Sequence, residues 1–204
     1  MKKYFVIATG ALFILLASAA IWYTMPQRKS EHSAPPTTEK VAIGGAFELV
    51  DVDNKPIHDN QFRNKYMLVY FGFSYCPDVC PMTLDTLGEV LSKLGEEGND
   101  KLQTIFITLD PSRDTPETLK HYMVHFHPRI MALTGSQEQI EAAIAAYKIY
   151  VAKAQGTKES DANYLLDHSS FVYFMDPEGK YITHFHHDIA AEAMVDVIKE
   201  AIQP

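Results

Sequence analysis

Hydrophobic and polar positions alternate in two different rhythms along this chain, and the change of rhythm marks its elements. Tyr66-Met67-Leu68-Val69-Tyr70-Phe71 is an unbroken apolar run, the pattern of a strand covered on both faces. Gln103 to Leu109 (QTIFITL) reads as a second buried strand, and Ile130 to Leu133 as a short third one. Between them Leu84, Leu87, Val90, Leu91 and Leu94 recur at helical spacing, predicting a helix over Leu84 to Leu94. Thr115-Pro116-Glu117 opens another helix, with Asp114 or Thr115 as its cap. Ser136 caps a third helix running to about Tyr147, with Ile140 and Ile144 inward.

Phe47 to Asp51 and Pro56 to His58 flank an Asp53-Asn54-Lys55 turn, the signature of a small hairpin. Ile149 to Ala152 has strand character, and Gln155 to Leu166 reads as a polar, flexible loop. Phe171 to Met175 and Tyr181 to Phe185 pair across Asp176-Pro177-Glu178-Gly179-Lys180. A closing helix spans about Ala190 to Ile202, with Met194, Val197, Ile198 and Ile202 facing in. This order gives an α/β domain whose central sheet is mostly parallel, flanked by helices and extended by hairpins. In such sheets the chemistry gathers at strand carboxyl ends.

Ahead of the domain, Lys2-Lys3 precede an apolar run from Tyr4 to about Met25, roughly the 20 residues that cross a bilayer. A cleavable signal ending at Ala17-Ser18-Ala19 fits part of the run. An uncleaved anchor uses all of it, with Trp22 and Tyr23 at the far interface, and the length favours the anchor. No cysteine lies near Ala17 to Ala20, so the segment carries no site for a lipid-modified amino terminus. Both readings put the body outside the cytoplasm. Residues 26–40, with Pro26, Pro35 and Pro36, read as a tether, and residues 41–204 as one domain.

Charge narrows the partners. The chain carries 18 basic and 26 acidic residues for a net charge of −8. Five of the basic residues and two of the acidic ones precede Val41, so the domain itself holds 13 against 24. Such a surface repels phosphate backbones, and no basic stripe relieves it, which excludes nucleic acid. Nucleotide binding has no support either, since no glycine-rich phosphate loop follows a strand.

The chemistry concentrates after the first buried strand. Gly72 ends that strand, and Cys76-Pro77-Asp78-Val79-Cys80-Pro81 follows with the only two cysteines in the chain. Three uses fit the pair. A structural disulfide would close a ring of a few residues and gain about 2 kcal/mol, little for a domain of this size. Thiol–disulfide exchange fits the approach of a helix amino terminus, which favours thiolate, although thioredoxin-like oxidoreductases space their cysteines one residue closer. Metal binding needs a further ligand, and His168, in Asp167-His168-Ser169-Ser170 just before the strand at Phe171, is the candidate. Two thiolates and an imidazole are soft enough to select Cu(I), whereas zinc wants a fourth ligand and Cu(II) would recruit another group or water.

Other donors read more simply. Asp110 is either a carboxylate beside the metal or part of an Asp-Pro turn, and Asp78 either attracts a cation or sits solvated in a turn. His121 and His125 share a helix face at a spacing of four, and His184, His186 and His187 crowd the last hairpin; both groups read as surface histidines. Met82 reads as a core residue opening the helix. Peroxidase chemistry of the peroxiredoxin kind would place threonine where Phe73 stands.

Phe71 to Leu84 (FGFSYCPDVCPMTL), Leu109 to Glu117 (LDPSRDTPE) and Leu166 to Ser170 (LDHSS) resemble the three signature blocks of the SCO/SenC family, in the right order, within a likeness spanning about Ile43 to Ile202. The resemblance implies a thioredoxin-like fold tethered to a membrane, with copper, as Cu(I) and also Cu(II), held by Cys76, Cys80 and His168. It implies a copper chaperone that supplies, or reduces the cysteines of, the CuA centre in cytochrome c oxidase subunit II or another copper-site client. An upstream copper donor, a monomeric state and a place in the bacterial inner membrane facing the periplasm go with it. Some members act mainly as thiol reductants or as redox and copper sensors, roles in which Cys76 and Cys80 form the redox-active dithiol. Many members carry histidine directly before the first cysteine, where this chain has Tyr75, which removes a potential extra ligand but none of the three.

Overall fold

The computed structural model describes residues 42–154 and 164–202, all within the unit that follows Lys40. The expectations for an anchor over residues 1–25, a tether over 26–40 and a loop over 155–163 therefore lie outside the described residues. No helix among the described residues is long and apolar enough to cross a membrane.

The described elements are β1 (Glu48–Asp51), β2 (Pro56–His58), a 3-10 turn (Asp59–Phe62), β3 (Tyr66–Gly72), α1 (Val79–Asp100) and β4 (Leu102–Thr108), followed by α2 (Pro116–Met123), β5 (Ile130–Thr134) and α3 (Gln137–Tyr147). β6 (Val151–Lys153), β7 (Leu166–His168), β8 (Phe171–Met175), β9 (Tyr181–His186) and α4 (Ala191–Ile202) complete the domain. Seven strands form one sheet in the order β2-β1-β5-β4-β3-β8-β9, and β6 pairs with β7 separately. The sheet is mixed. β3, β4 and β5 run parallel, while β1, β2, β8 and β9 join antiparallel. The parallel expectation thus holds at the centre and not at the flanks, where the β1–β2 and β8–β9 hairpins join the sheet through the antiparallel pairs β1–β5 and β3–β8.

β3 occupies the middle and is covered on both sides, as its apolar run requires. Leu68 and Tyr70 pack with Leu84, Leu87, Val90 and Leu91 of α1 and with Met194 and Ile198 of α4. Met67, Val69 and Phe71 face the opposite side, against Ile140, Ala143 and Tyr147 of α3. Cys80 belongs to the first of these clusters and is fully buried.

Several sequence expectations shift. α1 begins at Val79 rather than Leu84, so Cys80 and Pro81 lie in its first turn. Proline is tolerated there because the first amides of a helix have no intrahelical acceptor. At its far end the helix kinks at Gly95, whose φ of 67° only glycine adopts freely. In α4 it is Val195, not Val197, that turns inward; Val197 is exposed. Leu166 starts β7 rather than ending a loop. Met82 is exposed, not core. α2 stops at Met123, so His121 and His125 do not share a helix.

Candidate metal centre

The carboxyl ends of β3 and β4 and the amino ends of α1 and β8 meet at one place, and the dithiol lies there. Cys76 sits in the connection from β3 to α1, partly exposed, while Cys80 lies beneath it with no solvent contact. Both are free thiols. The Cys80 amide donates to Cys76 Sγ at 3.4 Å, so the sulfur takes up one of the unpaired amides that open the helix. Asp78 stands at the cap position without making a side-chain cap bond.

This arrangement separates the two thiols chemically. The hydrogen bond from the Cys80 thiol, opposed by burial and helped by the amides of Asp78 and Cys80 and by His168, brings the Cys76 thiol down to about 5. The same bond to Cys76, together with burial, pushes the Cys80 thiol up. Cys76 is therefore the sulfur that gives up its proton first, and Cys80 keeps one to share with it.

His168 closes the group from the other side. It ends β7, opposite Val151 of β6. Its Nδ1 lies 3.0 Å from the Ser169 carbonyl, a contact that only a protonated Nδ1 can make as a hydrogen bond. That tautomer leaves Nε2 with a free lone pair, and Nε2 lies 3.8 Å from Cys80 Sγ. Phe73 packs edge-on against the ring at 5.9 Å. Burial keeps the imidazole neutral more readily than in water.

With metal–sulfur bonds near 2.3 Å and metal–nitrogen bonds near 2.05 Å, as at zinc, a 120° angle separates the two donors by about 3.8 Å. The Cys80–His168 pair thus already has the spacing of a trigonal site. No group of three His, Cys, Asp or Glu side chains among the described residues is fully drawn in around a common point.

Two carboxylates fix the loop that carries Cys76. Asp114 is fully buried. It accepts the Ser74 amide at 3.0 Å, the Ser74 hydroxyl, and the Thr108 hydroxyl at 2.6 Å. Thr134 donates to its carbonyl, tying in β5. Burial raises the pKa of Asp114 despite these donors. The helix cap is Thr115, which accepts the Thr118 amide, so Asp114 serves the dithiol loop instead.

Asp110 binds Ser112 at 2.6 Å, Tyr164 at 2.6 Å and the Arg113 guanidinium. Burial works against its charge, but these donors win and hold its carboxyl below the usual range. Arg113 also donates to the Tyr164 carbonyl and lies 3.6 Å from the Tyr164 ring and 4.5 Å from the Tyr75 ring. Asp110 is thus engaged with Arg113 and Tyr164. This clasp joins the connection after β4, the segment leading into β7, and Tyr75 next to Cys76. Neither Tyr164 nor Arg113 stands out in the sequence.

Of the remaining histidines, His187 lies near enough to His168 for its charge to add to the lowering of the His168 pKa by burial, while His184 and His186 bond elsewhere. His184 contacts Tyr181 and packs on Phe171, and His186 pairs with Asp188 at 2.7 Å. Beneath the dithiol, Tyr70 is fully buried, and its hydroxyl completes no hydrogen bond of ordinary geometry among the described residues. Burial first, then the neighbouring Cys80 sulfur, push its pKa up, and Thr83 is its other polar neighbour.

The family model described as SCO1/SenC matches residues 35–203. The SCO2-like protein of Rickettsia felis is 37% identical over 193 residues, covering 95% of this chain and 91% of its own. Among solved structures, copper-bound ScoI of Bradyrhizobium japonicum is 36% identical with a TM-score of 0.71, over 78% of this chain and 99% of its own. Copper-bound yeast Sco1 is 38% identical with a TM-score of 0.72, over 79% of this chain and 88% of its own.

Proposed function

This chain belongs to the SCO1/SenC family of copper-handling, oxidase-assembly proteins, and we propose that it is a copper chaperone whose Cys76 and Cys80 thiolates and His168 imidazole hold one copper ion as cargo. The observation that carries the reading is the approach of His168 Nε2 to the Cys80 sulfur, with the Cys76 sulfur accepting from the Cys80 amide. Two soft sulfurs and one nitrogen suit Cu(I), which accepts three ligands. Cys76 and His168 are both partly exposed, so an incoming thiolate or imidazole can bind the ion before the old ligands let go. Oxidation to Cu(II) would recruit a further donor or water.

In this reading residues 1–25 anchor the chain in a bacterial inner membrane, residues 26–40 tether it, and the domain works on the periplasmic side. The client is the CuA centre of cytochrome c oxidase subunit II or another copper site that binds through cysteine and histidine. An upstream donor supplies the ion.

A second reading has its own support. Cys76 is the accessible, acidic thiol and Cys80 the buried one behind it, the division of labour of a disulfide reductase. The Cys76 thiolate would attack a client disulfide, and Cys80 would then displace the client thiol and leave the pair oxidised here. The two readings separate at His168. His168→Ala in the full-length chain should weaken Cu(I) binding by at least about 100-fold in a chelator competition, since even residues that only support metal ligands cost 10–100-fold. Reduction of a model disulfide should be nearly unchanged. Undiminished copper binding would remove His168 from the ligand set, and a matching loss of reduction would merge the two roles.

A further inference from the structure

We propose that Tyr70 is a positioning residue for the copper site, its phenol donating a hydrogen bond to the Cys80 sulfur once that sulfur is a metal-bound thiolate. The inference rests on the copper-binding reading above and adds a residue to it. Tyr70 projects from β3 to the same side as Cys80, and both are fully buried in one cluster. The two converge on Gly72. A β-carbon built there would lie 2.9 Å from Cys80 Sγ and 3.2 Å from Tyr70 Cε1, the ring carbon next to the one that bears the hydroxyl. Any larger residue at this position would drive the sulfur and the ring apart.

The hydroxyl itself is an anomaly. Leaving a buried donor unpaired costs about 1–3 kcal/mol, and phenols buried this deeply almost always have a partner. The polar groups around it are the Cys80 thiol and Thr83. Thr83 donates its own proton to the Val79 carbonyl at 2.8 Å, and its oxygen does not accept from the phenol among the described residues. A protonated thiol is a poor acceptor, and in the metal-free state Cys80 is a free, buried thiol with its Sγ 3.8 Å from His168 Nε2. When copper binds, the thiol proton leaves and Cys80 becomes a thiolate, a much stronger acceptor placed next to the waiting O–H. The donated bond draws charge from the sulfur, which weakens its donation to Cu(II) more than to Cu(I) and so biases the site toward the reduced ion.

Tyr122 provides a matched control. Its hydroxyl is also buried without a partner among the described residues, and it feels both sulfurs electrostatically, but it has no hydrogen-bonding relation to either. The test uses the full-length chain, as wild type, Tyr70→Phe and Tyr122→Phe, each loaded with Cu(I) and with Cu(II). The readouts are the sulfur-to-Cu(II) charge-transfer absorption and the ratio of Cu(I) to Cu(II) affinities. Tyr70→Phe should move the absorption to lower energy and lower the ratio about tenfold, equivalent to about 59 mV in a one-electron potential. Tyr122→Phe should change neither. If wild type shows the absorption and Tyr70→Phe leaves it in place, the role of Tyr70 is refuted while the copper reading stands. Equal shifts in both variants would mean general polarity rather than a hydrogen bond and would also refute it. A wild type without sulfur-to-Cu(II) absorption would refute the role of Tyr70, and one that also takes up no Cu(I) would overturn the copper reading with it.

Discussion

His168 and Cys80 are 88 residues apart in sequence, yet His168 Nε2 lies 3.8 Å from Cys80 Sγ. Two separate parts of the fold produce that approach. β3 delivers the cysteine loop at its carboxyl end, and β8, antiparallel to β3, starts at the same end with His168 just ahead of it. The imidazole is then oriented by its own backbone, through Nδ1 and the Ser169 carbonyl. The proposed copper site therefore depends on the registry of two adjacent strands, and its supports can be tested one at a time.

The inequality of the two thiols gives a prediction in the reduced, metal-free protein. Cys76 should be alkylated by iodoacetamide with a midpoint near pH 5, and Cys80 should stay protected until the protein unfolds. The stability consequence has a definite sign. Between about pH 5 and 9 the folded Cys76 has lost the proton that the unfolded thiol still holds, so its contribution rises with pH across that window and disappears as pH falls through about 5. Denaturation curves of the wild type and Cys76→Ser, compared at several pH values, measure it.

Asp114→Ala removes the acceptor shared by Ser74 and Thr108 in a site closed to water. Each stranded donor costs about 1–3 kcal/mol, so a loss of about 3 kcal/mol is expected in urea denaturation. The loop carrying Cys76 should loosen with it, raising the rate at which Cu(I) is lost to a chelator. A variant with wild-type stability would show that Asp114 does not hold this loop.

The clasp around Asp110 should behave as a buried ion pair. Arg113→Met strands a carboxylate that is only 4% exposed, and about 3–5 kcal/mol should be lost. Removing both charges, in Asp110→Asn with Arg113→Met, should cost clearly less than that. The coupling read from a double-mutant cycle is then large, and additive effects would contradict the pairing.

How far the sequence could anticipate this structure follows from the range of the interactions involved. β3 was legible because burial on both faces leaves no polar position in its run, and the dithiol was legible because it follows directly. His168 could be singled out only by its place before a strand that borders β3. The true start of α1 was hidden because Cys-Pro breaks the apolar rhythm, although a proline in the first turn costs the helix little. The choice of Val195 over Val197 turns on the rotation of α4 against α1, which no local pattern records. Arg113, Tyr164 and Tyr70 went unnoticed for a related reason. Arg113 and Tyr164 lie in irregular segments 51 residues apart, and Tyr70 looks like any core aromatic until its hydroxyl proves to have no partner among the described residues.

The most direct measurement is X-ray absorption of the reduced full-length chain after anaerobic loading with one equivalent of Cu(I). Two sulfurs and one nitrogen around copper, with the nitrogen lost in His168→Ala, are the predicted result. A shell without that nitrogen, or a chain that takes up no copper, would contradict the account.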